Sequence, residues 1–217
     1  MAHGPVRNRI WEVINVDAND PERISVTWVP RGANTEDDPL RRLAPGLQLS
    51  LHMEIGEIVV QTLRTHNQGT QTFALTQAFH NYFAVHDATQ APVHGLAGLR
   101  YEDKLHSTSV QLQRGDFVLD QSSDRIYHND AMPALHRYTL SDPAWRRRIH
   151  LTTQGSRSVV VWNPGPNQAR RMADLPEGEW RNFLCVETAN AGDDVVLLAP
   201  GDQHSLRQTI AWDTMAH

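Results

Sequence analysis

Apolar and polar residues alternate with a period of two in segment after segment of this chain, and that pattern excludes most folds. Ile10 to Val16, Ile24 to Val29, Leu47 to Ile55, Ile58 to Thr65, Thr72 to Phe79 and Ser109 to Leu112 read as strands, because successive strand side chains face opposite ways. The second half continues with Phe117 to Leu119, Ile149 to Thr152, Arg157 to Trp162, Phe183 to Glu187, Val195 to Leu198 and Leu206 to Trp212. Gly, Pro, Asn and Asp clusters separate these runs and supply the turns. About a dozen strands with short turns predict an all-β fold, a large antiparallel sandwich.

Helical signals are few. Asn167 to Ala173, after the turn residues Asn163-Pro164-Gly165-Pro166, is the better candidate. Asp142 to Arg148 is the weaker, its Asp142-Pro143 resembling a cap followed by proline at the first helical position. Its run Arg146-Arg147-Arg148 reads as a solvated face. Ala33 to Leu40 reads as an exposed loop whose acidic trio, Glu36, Asp37 and Asp38, serves solvation, since the spacing is not that of a calcium loop.

A length of 217 residues suits one core, so residues 1–217 are expected to form a single domain, with no repeat, linker or low-complexity segment. A net charge of -5, with both signs mixed along the chain, offers no basic face for a nucleic acid. The one cysteine, Cys185, excludes an internal disulfide and suits a reducing compartment, so the expected location is cytoplasmic. Met1 to Arg7 lacks the apolar run of a secretion signal, and no apolar stretch approaches the ~18 residues that span a bilayer, so no membrane partner is expected.

Twelve histidines in an all-β chain raise the possibility of a cupin-like metal site. The chain has no His-x-His, and its nearest pair, His80 and His86, is interrupted by turn-like residues, so no metal is expected. There is no Gly-x-Ser-x-Gly elbow and no phosphate-cradling glycine loop, and Cys185 in its apolar run reads as core. Three segments carry more chemistry than strand packing requires: His3 to Arg7, Ala78 to Phe83, and Phe183 to Thr188. Glu187 ends an apolar run, where a rim carboxylate would have a raised pKa. His80 is flanked by Phe79, Tyr82 and Phe83, walls that suit the apolar faces of a sugar ring. A hydrogen-bonded core histidine is the plain alternative.

Together these segments resemble the galactose-mutarotase superfamily, and within it the glucose-6-phosphate 1-epimerases. His3 to Trp11 (His-Gly-Pro-Val-Arg-Asn-Arg-Ile-Trp) is similar to that family's His-Gly-Phe-Ala-Arg segment with its following Trp, and Ala78 to Val85 to its Ala-Leu-His-x-Tyr-Phe-x-Val. Tyr101-Glu102-Asp103-Lys104, Asp124-Arg125-Ile126-Tyr127, Val161-Trp162-Asn163-Pro164, Met172-Ala173-Asp174, Cys185-Val186-Glu187 and Leu198-Ala199-Pro200-Gly201 follow in the family's order.

The resemblance implies a galactose mutarotase-like β-supersandwich and interconversion of the two anomers of a hexose 6-phosphate, a small-molecule substrate, with no cofactor and no metal. It implies His80 as general acid on the ring oxygen and Glu187 as general base on the anomeric hydroxyl. Arg7 would take the phosphate, with Arg9 a weaker neighbour and His3 and Asp124 further substrate contacts. The bland readings are a surface arginine for Arg7 and an Asp124 paired with Arg125 or a neighbouring strand. Trp162 and Asn163 would shape the pocket edge.

Family members begin well before the His-Gly-x-x-Arg segment, with N-terminal strands and an Arg-Gly-Gly element carrying another phosphate-binding arginine. The chain starts two residues before His3, so an uncovered sheet edge is expected, and a monomer or homodimer. Pro5-Val6 in place of Phe-Ala, and Thr188 after Glu187, would reshape the pocket. The alternatives are a non-catalytic carbohydrate-binding relative and an aldose 1-epimerase for unphosphorylated sugars.

Overall fold

In the computed structural model, residues 3–32, 38–105, 109–131 and 135–215 are described. They form two compact units, Met1–Leu75 with Val195–Thr209 and Thr76–Asp194 with Ile210–His217. The first begins with β1 (Trp11–Asp17), β2 (Ile24–Pro30), β3 (Leu47–Ile55), β4 (Val59–Asn67) and β5 (Phe73–Leu75), with helix α1 at Pro39–Leu43. The second holds β6 (Gln77–Phe79), β7 (Tyr82–Ala84), β8 (Val93–His94), β9 (Arg100–Asp103), β10 (Gln111–Leu112), β11 (Ser123–His128), β12 (Leu135–Asp142), β13 (Arg147–Gln154) and β14 (Ser158–Asn163). Helix α2 (Gly165–Ala169) and β15 (Phe183–Asn190) follow. The chain then adds β16 (Val196–Leu198) and β17 (Gln203–Thr214), whose residues up to Thr209 belong to the first unit.

In the first unit β1, β2, β3 and β4 are successive antiparallel neighbours, and β5 pairs with β16. Asn67 ends β4 as a buried tie: its Nδ2 donates to Gln71 O and Leu198 O, each at 2.8 Å. Gly46 and Gly69 touch here, since a Cβ on Gly46 would lie 2.3 Å from Gly69 N, so neither turn tolerates a side chain. β1 is the sheet's edge, and Val13, Ile14 and Val16 on it are each more than half exposed.

In the second unit one sheet runs β10-β9-β11-β14-β15-β6, with β7 also on β15, and β13, β12 and β8 belong to another. A single apolar cluster joins them: Tyr138, Leu140, Ile149 and Leu151 meet Tyr127, Val159, Val161, Leu184 and Val186. Each fully buried side chain of this size contributes roughly 1.5–3 kcal/mol. Among the described residues no helix is long and apolar enough to cross a membrane.

Several sequence expectations change at this level. The run Thr72 to Phe79 splits at Thr76 into β5 and β6, which pair with different strands. Phe117 to Leu119 reduces to one bridge, Phe117 to Val93. The helix expected at Asn167 to Ala173 starts at Gly165 and stops at Ala169.

Asp142 to Arg148 is a hairpin and not a helix. Asp142 pairs with Arg147 across β12 and β13, and Asp142 Oδ1 accepts from Trp145 N, so the aspartate caps a turn. Residues 33–37, with Glu36 and Asp37, lie outside the described residues. Asp38 is buried and not a solvating surface charge, because it caps α1 and pairs with Arg9.

Candidate active site

The ladder along β15 is interrupted at one place, and that gap builds the site. β6 pairs with Thr188 to Asn190, and β7 with Phe183 to Cys185. His80 and Asn81 therefore cross opposite Val186 and Glu187 without joining the sheet. Asn81 Nδ2 donates to Val186 O at 3.2 Å, satisfying a carbonyl at the gap. The crossing leaves His80 Nε2 at 3.3 Å from Glu187 Oε1. Glu187 thus sits in mid-strand, 5% exposed, and not at the strand end its apolar run suggested.

Alternation decides what else faces the pair. Leu184 and Val186 turn into the core, so Phe183, Cys185 and Glu187 share the other face. Asp124, Trp162, Cys185 and Tyr82 are register partners in one row across β11, β14, β15 and β7. Tyr82 stacks on the His80 ring with centroids 4.8 Å apart and planes at 19°, and Trp162 meets it edge-on at 5.7 Å. Phe183 closes the cluster at 5.3 Å from Tyr82 and 6.0 Å from Trp162.

The aromatic wall is thus Tyr82, Trp162 and Phe183. Phe83 is core, because it faces away from Tyr82. Thr188 likewise faces away from Glu187, so it does not shape this face. Asn163 is a structural tie whose Nδ2 donates to Trp180 O and Phe183 O, both at 2.8 Å.

The remaining candidates divide. Asp124 is half-buried in the row that leads to Tyr82, and its backbone oxygen accepts from Lys104 N. His3, Arg7 and Arg9 belong to the first unit, in the turn before β1, where His3 and Arg7 are exposed. The Arg9 guanidinium is engaged by Asp38 and, at 2.7 Å, by Arg31 O, so it holds that turn to the start of α1. A depression of about 920 Å³ in the first unit includes Asp38 and Arg41 but none of the acid, base or aromatic residues above.

Among the described residues, two groups of side chains have donor atoms within 4.8 Å of one another, close enough to be drawn onto one ion: His80, Cys185 and Glu187, and Glu102, His128 and Asp193. In the second, His128 Nε2 lies 3.0 Å from Glu102 Oε1 and Lys104 pairs with the other carboxylate oxygen. The Lys104 hydrogen bond is the chief cause that holds Glu102 below its ordinary pKa; burial opposes it and the His128 bond adds to it. Sequence reasoning missed this pair; it took Cys185 for core, and the residue is indeed fully buried, but on the face it shares with Glu187. The alternation that puts Cys185 and Glu187 on one face was the available signal.

The family model for aldose 1-epimerase matches residues 1–211. A protein of Cenchrus ciliaris provisionally named a glucose-6-phosphate 1-epimerase is 28% identical over 211 residues, covering 93% of this chain and 61% of its own length. One of Escherichia coli K12 with the same provisional name is 30% identical over 194 residues, covering 88% and 61%. The chain therefore spans about 61% of the length of the curated relatives it matches.

The crystal structure of a provisionally assigned mutarotase from Salmonella typhimurium superposes with a TM-score of 0.80 at 25% identity, covering 94% of this chain and 65% of that one. A galactose mutarotase-like protein from Clostridium acetobutylicum, at 13% identity and a TM-score of 0.67, shares the fold over 94% of this chain and 67% of its own. An antiparallel all-β chain of the galactose mutarotase-like class, matched by one family model from residue 1 to 211, belongs to the aldose 1-epimerase family.

Proposed function

We propose that this chain interconverts the α and β anomers of a hexose 6-phosphate by opening and closing the sugar ring, with His80 as acid and Glu187 as base. The observation that carries the reading is the His80 to Glu187 separation of 3.3 Å beside the wall of Tyr82, Trp162 and Phe183. The ring oxygen and the anomeric hydroxyl are bonded to one carbon, so their acid and base must be neighbours. A glycosidase needs its two carboxyl groups about 5 Å or more apart, on either side of the bond it breaks. Aromatic faces suit the C–H faces of the sugar ring.

The step balances without a cofactor. Glu187 takes the proton of the anomeric hydroxyl as the His80 imidazolium gives its proton to the ring oxygen, and the bond from C1 to that oxygen breaks to leave an aldehyde. Rotation about the bond between C1 and C2 presents the other carbonyl face. Closure returns one proton to His80 and passes the other from Glu187 to the new anomeric oxygen.

The phosphate half of the reading rests on His3 and Arg7, which match the family segment, with Arg9 bracing their turn. Because Arg9 is engaged by Asp38, action on an unphosphorylated aldose is the second reading. The test is relaxation of fresh α-glucose 6-phosphate, followed by NMR exchange with wild type, Glu187→Gln and no protein. Acceleration lost in the variant supports the reading, and no acceleration of phosphorylated or free sugars defeats it. Arg7→Ala raising KM for the phosphorylated sugar alone would favour the phosphate reading over the aldose one.

A further inference from the structure

Cys185 and Glu187 are two residues apart on β15 and face the same way, and the register partners of Cys185 are the site residues Tyr82 and Trp162. The family's proton transfers give its thiol no part. Yet an imidazole nitrogen, a thiol sulfur and a carboxylate oxygen from His80, Cys185 and Glu187 all lie within 4.8 Å of one another. We propose that this trio binds a zinc-like, thiophilic divalent cation, and that the bound ion switches off the acid and base. The binding half stands on the side chains alone, and the inhibitory half rests on the mutarotase reading.

The geometry favours a tetrahedral ion. Bonds of about 2.0–2.2 Å from zinc to nitrogen and oxygen set a nitrogen-to-oxygen edge of roughly 3.3 Å, and a 2.3 Å bond to sulfur sets edges of roughly 3.6 Å. The His80 to Glu187 edge already measures 3.3 Å. The sulfur edges, at most 4.8 Å, close by about 1.2 Å or less. His80 can supply that movement on its own edge because it crosses between β6 and β7 outside the sheet, and the Cys185 to Glu187 edge closes by rotation of the two side chains on β15. Its side chain is 21% exposed, which gives an ion and a fourth ligand their approach.

Donor chemistry selects the ion. Magnesium and calcium take oxygen ligands, whereas one thiolate, one imidazole and one carboxylate suit zinc and its neighbours. Binding releases the thiol proton and any imidazolium proton to solvent. His80 then has no proton for the ring oxygen, and the Glu187 oxygen that would take the hydroxyl proton bonds the metal. The other group, Glu102, His128 and Asp193, contains no sulfur, which separates the two sites experimentally.

The test titrates cobalt(II) into the metal-free protein, following sulfur-to-cobalt charge transfer in the near ultraviolet, and separately measures NMR exchange of α-glucose 6-phosphate against added zinc. One cobalt per chain with the charge-transfer band, and mutarotation that zinc stops and a chelator restores, is the expected result. In Cys185→Ser the band disappears and the half-inhibiting zinc concentration rises roughly tenfold or more, while metal-free mutarotation stays within about twofold of wild type. His80→Gln, changed outside the strands, keeps the sulfur and weakens cobalt binding by a similar factor, which covers failure of the serine variant to fold.

Cobalt bound without the band, or no cobalt bound, overturns the site. Zinc sensitivity unchanged in Cys185→Ser overturns the inhibition. If the metal-free protein does not accelerate mutarotation at all, the functional reading fails, and the cobalt band still decides the site.

Discussion

Two histidine–glutamate pairs lie on the same face of one sheet, and they differ in everything except their spacing. Glu102, Ile126, Val160 and Glu187 are successive register partners across β9, β11, β14 and β15, so the two glutamates stand three strands apart, roughly 14 Å. His80 reaches Glu187 at 3.3 Å and His128 reaches Glu102 at 3.0 Å. In the first pair the glutamate is the more buried partner and aromatic rings surround the histidine. In the second the histidine is 4% exposed, and Lys104 holds the second oxygen of the more exposed glutamate.

A carboxylate pinned by an ammonium is stabilised as an ion and resists taking a proton, so the second pair is a structural tie. Proximity alone does not make an acid and a base; the neighbours decide. The strongest test of the contrast is Glu187→Gln, expected to lower catalysed mutarotation about 10²–10⁴-fold, while Glu102→Gln leaves the rate within about twofold. NMR exchange on both variants checks it, and an equal loss in both would erase the distinction.

The next effect is on stability. Gly192 has φ +59, and a Cβ there would lie 2.6 Å from Glu102 Oε1 and 2.9 Å from the His128 ring. Gly192→Ala should cost roughly 2–4 kcal/mol, from left-handed backbone strain plus displacement of the tied pair, read as a lower denaturant midpoint.

A smaller effect depends on pH. Glu102 has its pKa lowered from 4.5, chiefly by the Lys104 hydrogen bond, so its ionised form is favoured by folding. That stabilisation is fully present above the ordinary value and is lost as the pH falls through the lower folded value. Glu102→Gln should therefore be about 1 kcal/mol less stable than wild type at pH 7, and the gap should close below about pH 4.5 in denaturation curves. The mildest change is Tyr82→Leu, which removes the ring stacked on His80. A loss of about 0.5–1.5 kcal/mol corresponds to a rate lower by roughly two- to tenfold.

Much of this was legible in the residues. Leu47–Ile55 is β3 with the ends its alternation marks, and Ile24 and Leu198 mark strand ends as expected. The ordered motifs singled out His80 and Glu187, and the structure brings them together. What alternation did not disclose were short strands such as Tyr82–Ala84 and Val93–His94, too brief for a period to emerge. It could not disclose the division of Thr72 to Phe79 either, because the split reflects different partners for β5 and β6. Asp38 looked like a surface acid because nothing local announces Arg9 beside it.

By itself the sequence determined the all-β class, which side chains share a face, and the small set of residues able to move a proton. These are local properties, set by the two-residue pleat of a strand and by side-chain chemistry. The tertiary structure alone decided which of twelve histidines meets which carboxylate, that a ladder gap opposite Val186 and Glu187 lets His80 reach its partner, and that Cys185 faces the site. Those outcomes depend on pairing between distant strands, where a shift of one residue in register would turn Glu187 to the core face.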